Sequence, residues 1–116
     1  MKKDPLIFIK HILEAIDALE SYSKGFSRET LLTDRMRKDA IVRELEIIGE
    51  AVKNLPKDFT AKYPQVEWSD IARTRDIIIH RYFGIDLNEI WNIVTKDLPK
   101  LKKDISEILE KEKKSK

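Results

Sequence analysis

The sequence predicts an all-α protein: a bundle of four to five helices with an antiparallel core built from the first, second and last of them. Three observations carry that expectation. In three separate stretches apolar residues recur at alternating spacings of four and three, the period of a helix that buries one face. The chain has only three glycines and four prolines in 116 residues, too few for a loop-rich fold. Charged residues make up 38% and apolar residues 41%, a balance that suits charged amphipathic helices.

The first helix is expected to start at Asp4-Pro5, where a capping carboxylate precedes proline at the first helical position. Phe8, Ile12, Ala15, Leu19 and Tyr22 form its stripe, Ile9, Leu13 and Ile16 widen it, and it should end near Lys24-Gly25. His11 lies on this helix without an obvious polar partner and reads as structural or surface. A second helix should begin between Ser27 and Asp34 and carry the stripe Ile41, Leu45, Ile48, Val52, Leu55. Gly49 interrupts it at a cost of roughly 1 kcal/mol relative to alanine. Close approach of another helix would explain a glycine there. Glu46 and Glu50 share one face. They read either as a solvated acidic face or as groups that orient an arginine or line a cleft. Residues 56–67, with Pro56 and Pro64, should form a loop with one helical turn.

After Gly84, Asp86 and Glu89 form a capping-box pattern. Leu87, Trp91, Val94, Leu98, Leu101, Ile105 and Ile108 then keep one phase across Pro99, which predicts a kink or short break without a change of direction. From Lys96 onward eight lysines stand against five acids. Residues 111–116 should fray as a solvated tail, with attraction of RNA or a partner as the second reading.

The whole chain, 1–116, is expected to be one domain. The net charge of +2 is too small to draw it onto nucleic acid by a uniform field, so RNA binding would need a local cluster. With no cysteine, disulfides and thiolate metal sites are excluded, and a reducing compartment is natural. The apolar run Leu6–Ile9 is too short for a signal peptide or membrane span. A soluble, cytoplasmic protein without membrane association is expected. No metal constellation and no cofactor motif is visible.

The unusual chemistry lies between Trp68 and Gly84, WSDIARTRDIIIHRYFG. Ser69 is expected to cap this helix and Gly84 to stop it. Ile77, Ile78 and Ile79 cover about 200° of helix at roughly 100° per residue, so the helix must be sandwiched, inside the bundle or between two copies. Asp76 and His80 are four apart and share a face. Arg75 and Tyr82 are seven apart and also share one. Arg75 and His80 are five apart, about 140° around an ideal helix. They converge if the last turn distorts, if the arginine bends round, or if a second subunit brings its own pair close. The stretch reads as half of a site, which predicts a homodimer.

Arg75-x4-His80-x-Tyr82 resembles the signature of the HEPN superfamily and, with its tyrosine, that of the HepT branch. Glu46-Ile47-Ile48-Gly49-Glu50-Ala51, Trp68, Ile71-Ala72, Tyr82-Phe83-Gly84 and Trp91 agree over nearly the full chain. Many relatives carry glycine and an apolar residue where this chain has Arg73-Thr74, which adds charge beside the site. The resemblance implies a HEPN-type bundle and a metal-independent endoribonuclease toxin in a type VII-like toxin–antitoxin pair. It implies a dimer-interface cleft with Arg75 and His80 from both subunits. It also implies adenylylation of Tyr82 by a minimal nucleotidyltransferase antitoxin.

The residue chemistry is compatible with that expectation. Histidine suits proton transfer near neutral pH, and the planar, permanently charged arginine fork suits phosphate. Asp76 is expected to orient His80, with Glu46, Glu50, Arg73 and Arg81 in supporting positions. The other class left open is a non-catalytic helical protein that holds a nucleotidyltransferase or a nucleotide.

Overall fold

The structure, a computed structural model, describes residues 4–25, 27–80 and 87–114, without the side chains of residues 77, 79, 80 and 87. Helix α1 spans Pro5–Tyr22, α2 Arg28–Thr33, α3 Arg35–Asn54, α4 Lys57–Ala61 and α5 Trp68–His80. Helix α6, Leu87–Asn92, passes through a π-helical turn, Ile93–Asp97, into α7, Leu98–Lys114. No strand occurs among the described residues. The fold is the all-α bundle the sequence predicts.

Local chemistry explains the boundaries. Asp4 caps α1 by accepting a 3.0 Å hydrogen bond from the Leu6 amide, and Pro5 follows at the start of the helix. Past Tyr22 the chain turns through Gly25 at φ 65°, left-handed backbone that glycine adopts without a steric penalty. The expected second helix is two helices. Asp34 closes α2 and opens α3, where its carboxylate accepts from the Arg37 amide at 3.1 Å. Ser27 and Thr30 cap α2 reciprocally. The loop over 56–67 contains one short helix, α4.

Two expectations need correction, and a third takes a specific form. Ser69 lies inside α5 and does not cap it; the helix begins at Trp68, and the Ile71 amide donates to the Glu67 carbonyl at 3.1 Å. Trp68 is the anchor, because its indole N–H donates to the Tyr63 carbonyl at 3.0 Å and fixes where the helix starts. The short break expected near Pro99 takes the form of the π-helical turn Ile93–Asp97. The Leu98 amide bonds back to the Ile93 carbonyl, an i→i−5 step, so the ladder widens just ahead of a residue that cannot donate. The end of the chain does not fray from 111: α7 runs to Lys114. Glu112 accepts from the Tyr63 hydroxyl and from Lys62 Nζ at 3.0 Å, and Lys111 Nζ lies 5.7 Å from the Tyr63 ring centre. Those contacts hold the last turn against the 56–67 connection. The Asp86–Glu89 capping box and the stop at Gly84 fall outside the described residues.

The core joins Ile9, Ile12 and Ile16 of α1, Ile41 and Ile48 of α3, and Ile105 and Ile108 of α7. Helix α1 packs on α3 and on α7, and α3 packs on α5. Lys102, early in α7, pairs with Asp17 at 3.6 Å and Glu20 at 2.9 Å, late in α1, so these two helices run antiparallel. Ile78 is buried within the chain, while the side chains of Ile77 and Ile79 lie outside the described set. No described helix is long and apolar enough to cross a membrane.

Candidate functional site

Arg75 owes its position to Gly49. A Cβ built on Gly49 would lie 2.1 Å from the Arg75 Cβ, closer than any real contact. The missing side chain therefore lets α5 press onto α3 at this level. That close approach is the reason the sequence analysis gives for a glycine in mid-helix. The guanidinium then reaches along α3 to the next residue, with Nη2 2.9 Å from Glu50 Oε2. Its Nη1 donates to Asp76 Oδ1 at 3.3 Å, and Lys53 Nζ donates to the same oxygen at 2.5 Å. Glu50, Arg75, Asp76 and Lys53 thus form a chain of alternating charge between the two helices. The Lys53 hydrogen bond, offset in part by desolvation and joined by Arg75, holds the Asp76 carboxyl below the usual carboxylate range.

This chain borders an open cleft of about 360 Å³ between α1, α3 and α5. Glu46, Glu50 and Arg75 line it, with Ile47 and Ala51 as apolar floor and Asn54 at one side. Arg43 also lines it and lies 3.6 Å from Glu46. From α1 come Phe8 and His11, whose rings meet edge to face at 6.4 Å and 86°. Two arginines face two glutamates, so the cleft is close to neutral. A phosphate entering it competes with carboxylates for Arg75, which makes the arginine a directional contact more than a general anion trap. A guanidinium carries five N–H donors, more than these two ion pairs use.

Other predicted residues lie elsewhere. Arg73 is on the outer side of α5, 70% exposed, and pairs at 3.0 Å with Asp70. His80 ends α5 five residues after Arg75, but its side chain is outside the described set, as are Arg81 and Tyr82. Whether Asp76 bonds to His80 therefore falls outside it too. A second cleft of about 300 Å³, lined by Leu45, Ile71, Thr74 and Leu98 among others, contains none of the predicted site residues. Among the described residues no three His, Cys, Asp or Glu converge as a metal-binding group.

Sequence reasoning missed His11, Phe8, Arg43, Lys53 and Asn54 as neighbours of the site. Part of the signal was present. Arg43, Glu46, Glu50 and Asn54 recur at spacings of three and four, a polar stripe beside the apolar one on α3. The packing of α1 against that stripe was not readable, because no local pattern reports which helix lies beside which.

Residues 12–108 match the family described as Ribonuclease HepT-like. A Methanocaldococcus jannaschii protein named "Gamma-glutamylcyclotransferase and putative RNase" is 46% identical over 95% of this chain, which spans 50% of that relative's length. A Caldanaerobacter subterraneus protein named "Putative RNase" is 47% identical, covering 96% of this chain and 99% of its own. A Thermococcus cleftensis protein named "Probable ribonuclease HepT" is 41% identical, covering 88% of this chain and 93% of its own. No solved structure gives a significant match.

Proposed function

Because the chain belongs to the HepT-like ribonuclease family, we propose that it is a metal-independent endoribonuclease toxin, active as a homodimer and controlled by a nucleotidyltransferase antitoxin. The observation that carries the catalytic reading is the placement of Arg75. Gly49 seats it, Glu50 and Asp76 direct its fork, and it opens onto a cleft five residues upstream of His80 in the chain.

In this reading RNA cleaves by attack of its own 2′-oxygen. A base takes the 2′-hydroxyl proton, the oxygen bonds to phosphorus, and the bond to the 5′-oxygen breaks as an acid protonates that leaving group. His80 of one subunit serves as base and His80 of the other as acid, while Arg75 stabilises the charge that builds on the phosphate. The products are a 2′,3′-cyclic phosphate and a free 5′-hydroxyl, and no step requires a metal.

Tyr82 is the point of control. An adenylyl group on its phenol places a phosphate where the scissile phosphate would bind, blocking RNA by occupancy and repulsion. The experiment incubates native and Tyr82→Phe chains with a minimal nucleotidyltransferase and ATP, then measures intact mass and RNA cleavage. The native chain should gain one or more adenylyl groups and lose activity; the variant should gain none and stay active. An equal mass gain on both would move the acceptor elsewhere.

A further inference from the structure

The cleft beside Arg75 holds more than phosphate chemistry requires. Its floor is apolar and one wall is a pair of aromatic rings, Phe8 half-buried and His11 exposed. Single-stranded RNA is recognised by just this combination: unstacked bases lie on aromatic or imidazole faces while their edges meet amides and carboxylates. Asn54 supplies such an edge. Its amide nitrogen donates to the Glu50 carbonyl at 2.9 Å, which fixes the side chain and leaves its oxygen as an acceptor. Glu46 adds a second acceptor at the rim.

The charges are arranged for a base between phosphates. Arg75 meets α3 at Gly49, and Arg43 stands six residues earlier on the same helix. At 1.5 Å rise per residue that is about 9 Å along the axis. Glu46 pairs with Arg43 and Glu50 with Arg75, so a phosphate must compete with a carboxylate at either cation and the space beside them suits a neutral base better. A volume of about 360 Å³ sits at the small end of the roughly 300–1,000 Å³ typical of ligand pockets, room for one nucleotide unit.

We infer that the α1–α3–α5 cleft is a nucleobase subsite that takes one base of single-stranded RNA beside the phosphate held by Arg75, with His11 and Phe8 as its stacking wall and Asn54 reading its edge. This rests on the ribonuclease reading for the position of the phosphate. The base is one with an exocyclic amine, since the cleft offers acceptors to its edge.

The test is fluorescence anisotropy with a labelled 2′-O-methyl cytidine pentamer, which lacks the attacking hydroxyl, and with the same strand made abasic at its central position. Proteins are the native chain, His11→Ala and His11→Phe. His11 is exposed, so both variants should keep the native circular dichroism spectrum and melting profile. His11→Ala should weaken binding about five- to hundredfold, the range for losing one base stack, and His11→Phe should restore most of it. The abasic strand should bind native protein more weakly but lose little further on His11→Ala. Equal affinity of native and His11→Ala for the intact strand overturns the inference. So does equal affinity of the native chain for both strands, or no binding at all. Cleavage of unmodified RNA separates the two readings. A native chain that cuts RNA but is indifferent to His11 in the binding assay keeps the ribonuclease reading and loses the subsite. One that binds through His11 but does not cut keeps the subsite and loses the ribonuclease reading.

Discussion

Two of the polar links that join distant parts of this bundle are built differently. In one, Tyr63 and Lys62 grip Glu112 of α7. Tyr63 is 3% exposed, and the Glu112 side chain is 14% exposed. In the other, Arg75 of α5 pairs with Glu50 of α3 and with its own neighbour Asp76, on the rim of an open cleft; the Arg75 side chain is 27% exposed and Glu50 54%. The first link closes a seam. Burial, reinforced by the Glu112 carboxylate, pushes the Tyr63 phenol up to about 12, so neither group is poised to react near neutral pH. The second lies open to solvent, and the guanidinium keeps donors in excess of its partners. The difference teaches where to look for function: a charge network that ends in a cleft is a better candidate than one that ends in the core.

The largest change should come from Gly49→Ala, which strikes the floor of the second link alone. Alanine gains roughly 1 kcal/mol of helix propensity. Its Cβ, however, meets backbone-rooted atoms of Arg75 at 2.1 Å, so α3 and α5 must separate. Overpacking of this kind costs about 1–3 kcal/mol. The midpoint of urea unfolding should fall, and RNA cleavage should fall further than the population of folded protein explains. A stabilised, fully active variant would break the comparison by showing that the seat of Arg75 is not needed.

Tyr63→Phe strikes the first link. It keeps the ring but removes the donor to Glu112, at about 1.5 kcal/mol, the low end for a hydrogen bond to a charged group because Lys62 still pairs with that carboxylate. Activity per folded molecule should not change. The pH dependence follows from the same pair. The Tyr63 pKa is raised, so its contribution is complete below pH 10 and is lost as pH rises from 10.0 toward about 12. The Glu112 carboxyl is lowered, chiefly by the Tyr63 hydrogen bond, so its contribution is present above its ordinary value of 4.5 and is lost as pH falls through and below it. Denaturation series across pH should show both losses in the native chain and a smaller alkaline loss in the variant. Identical profiles would remove this link from the stability of the fold.

Glu50→Gln should have the smallest effect on stability, within about 1 kcal/mol, because the ion pair is largely exposed. Its effect belongs to the site. With one carboxylate gone the fork loses a guide, and cleavage at saturating RNA should drop about tenfold, a loss of roughly 1.4 kcal/mol in positioning. Unchanged turnover would make the pair structural and shift attention to Asp76.

How much of this was legible in the sequence follows from the same contrast. The helices were, because apolar spacing states which face is buried whatever it is buried against. Ile9, Ile12, Ile16, Ile41, Ile48, Ile105 and Ile108 all point inward as their stripes require. A close approach at Gly49 was also legible, since a mid-helix glycine needs a reason. What pressed against it was not: Arg75 lies 26 residues away in a helix whose packing depends on the whole chain. His11 shows the same limit. Within α1 it reads as structural or surface, and only the meeting of α1 with α3 places it beside the cleft. The last turns of α7 read as a solvated tail because of their lysines, whereas Glu112 among them accepts from Tyr63.

The central claim is that Arg75 and His80 carry out chemistry on RNA, and one measurement tests it most directly. Purified native, Arg75→Ala and His80→Ala chains, matched for secondary structure and assembly state, are incubated with a defined single-stranded RNA in excess chelator. Product ends are then read by mass. The native chain should cleave and leave cyclic phosphates, and each variant should be slower by at least about 10²-fold, the scale of losing a proton-transfer group or a charge-stabilising donor. A native chain that leaves the RNA intact, or variants that cut as fast as it does, would contradict the account.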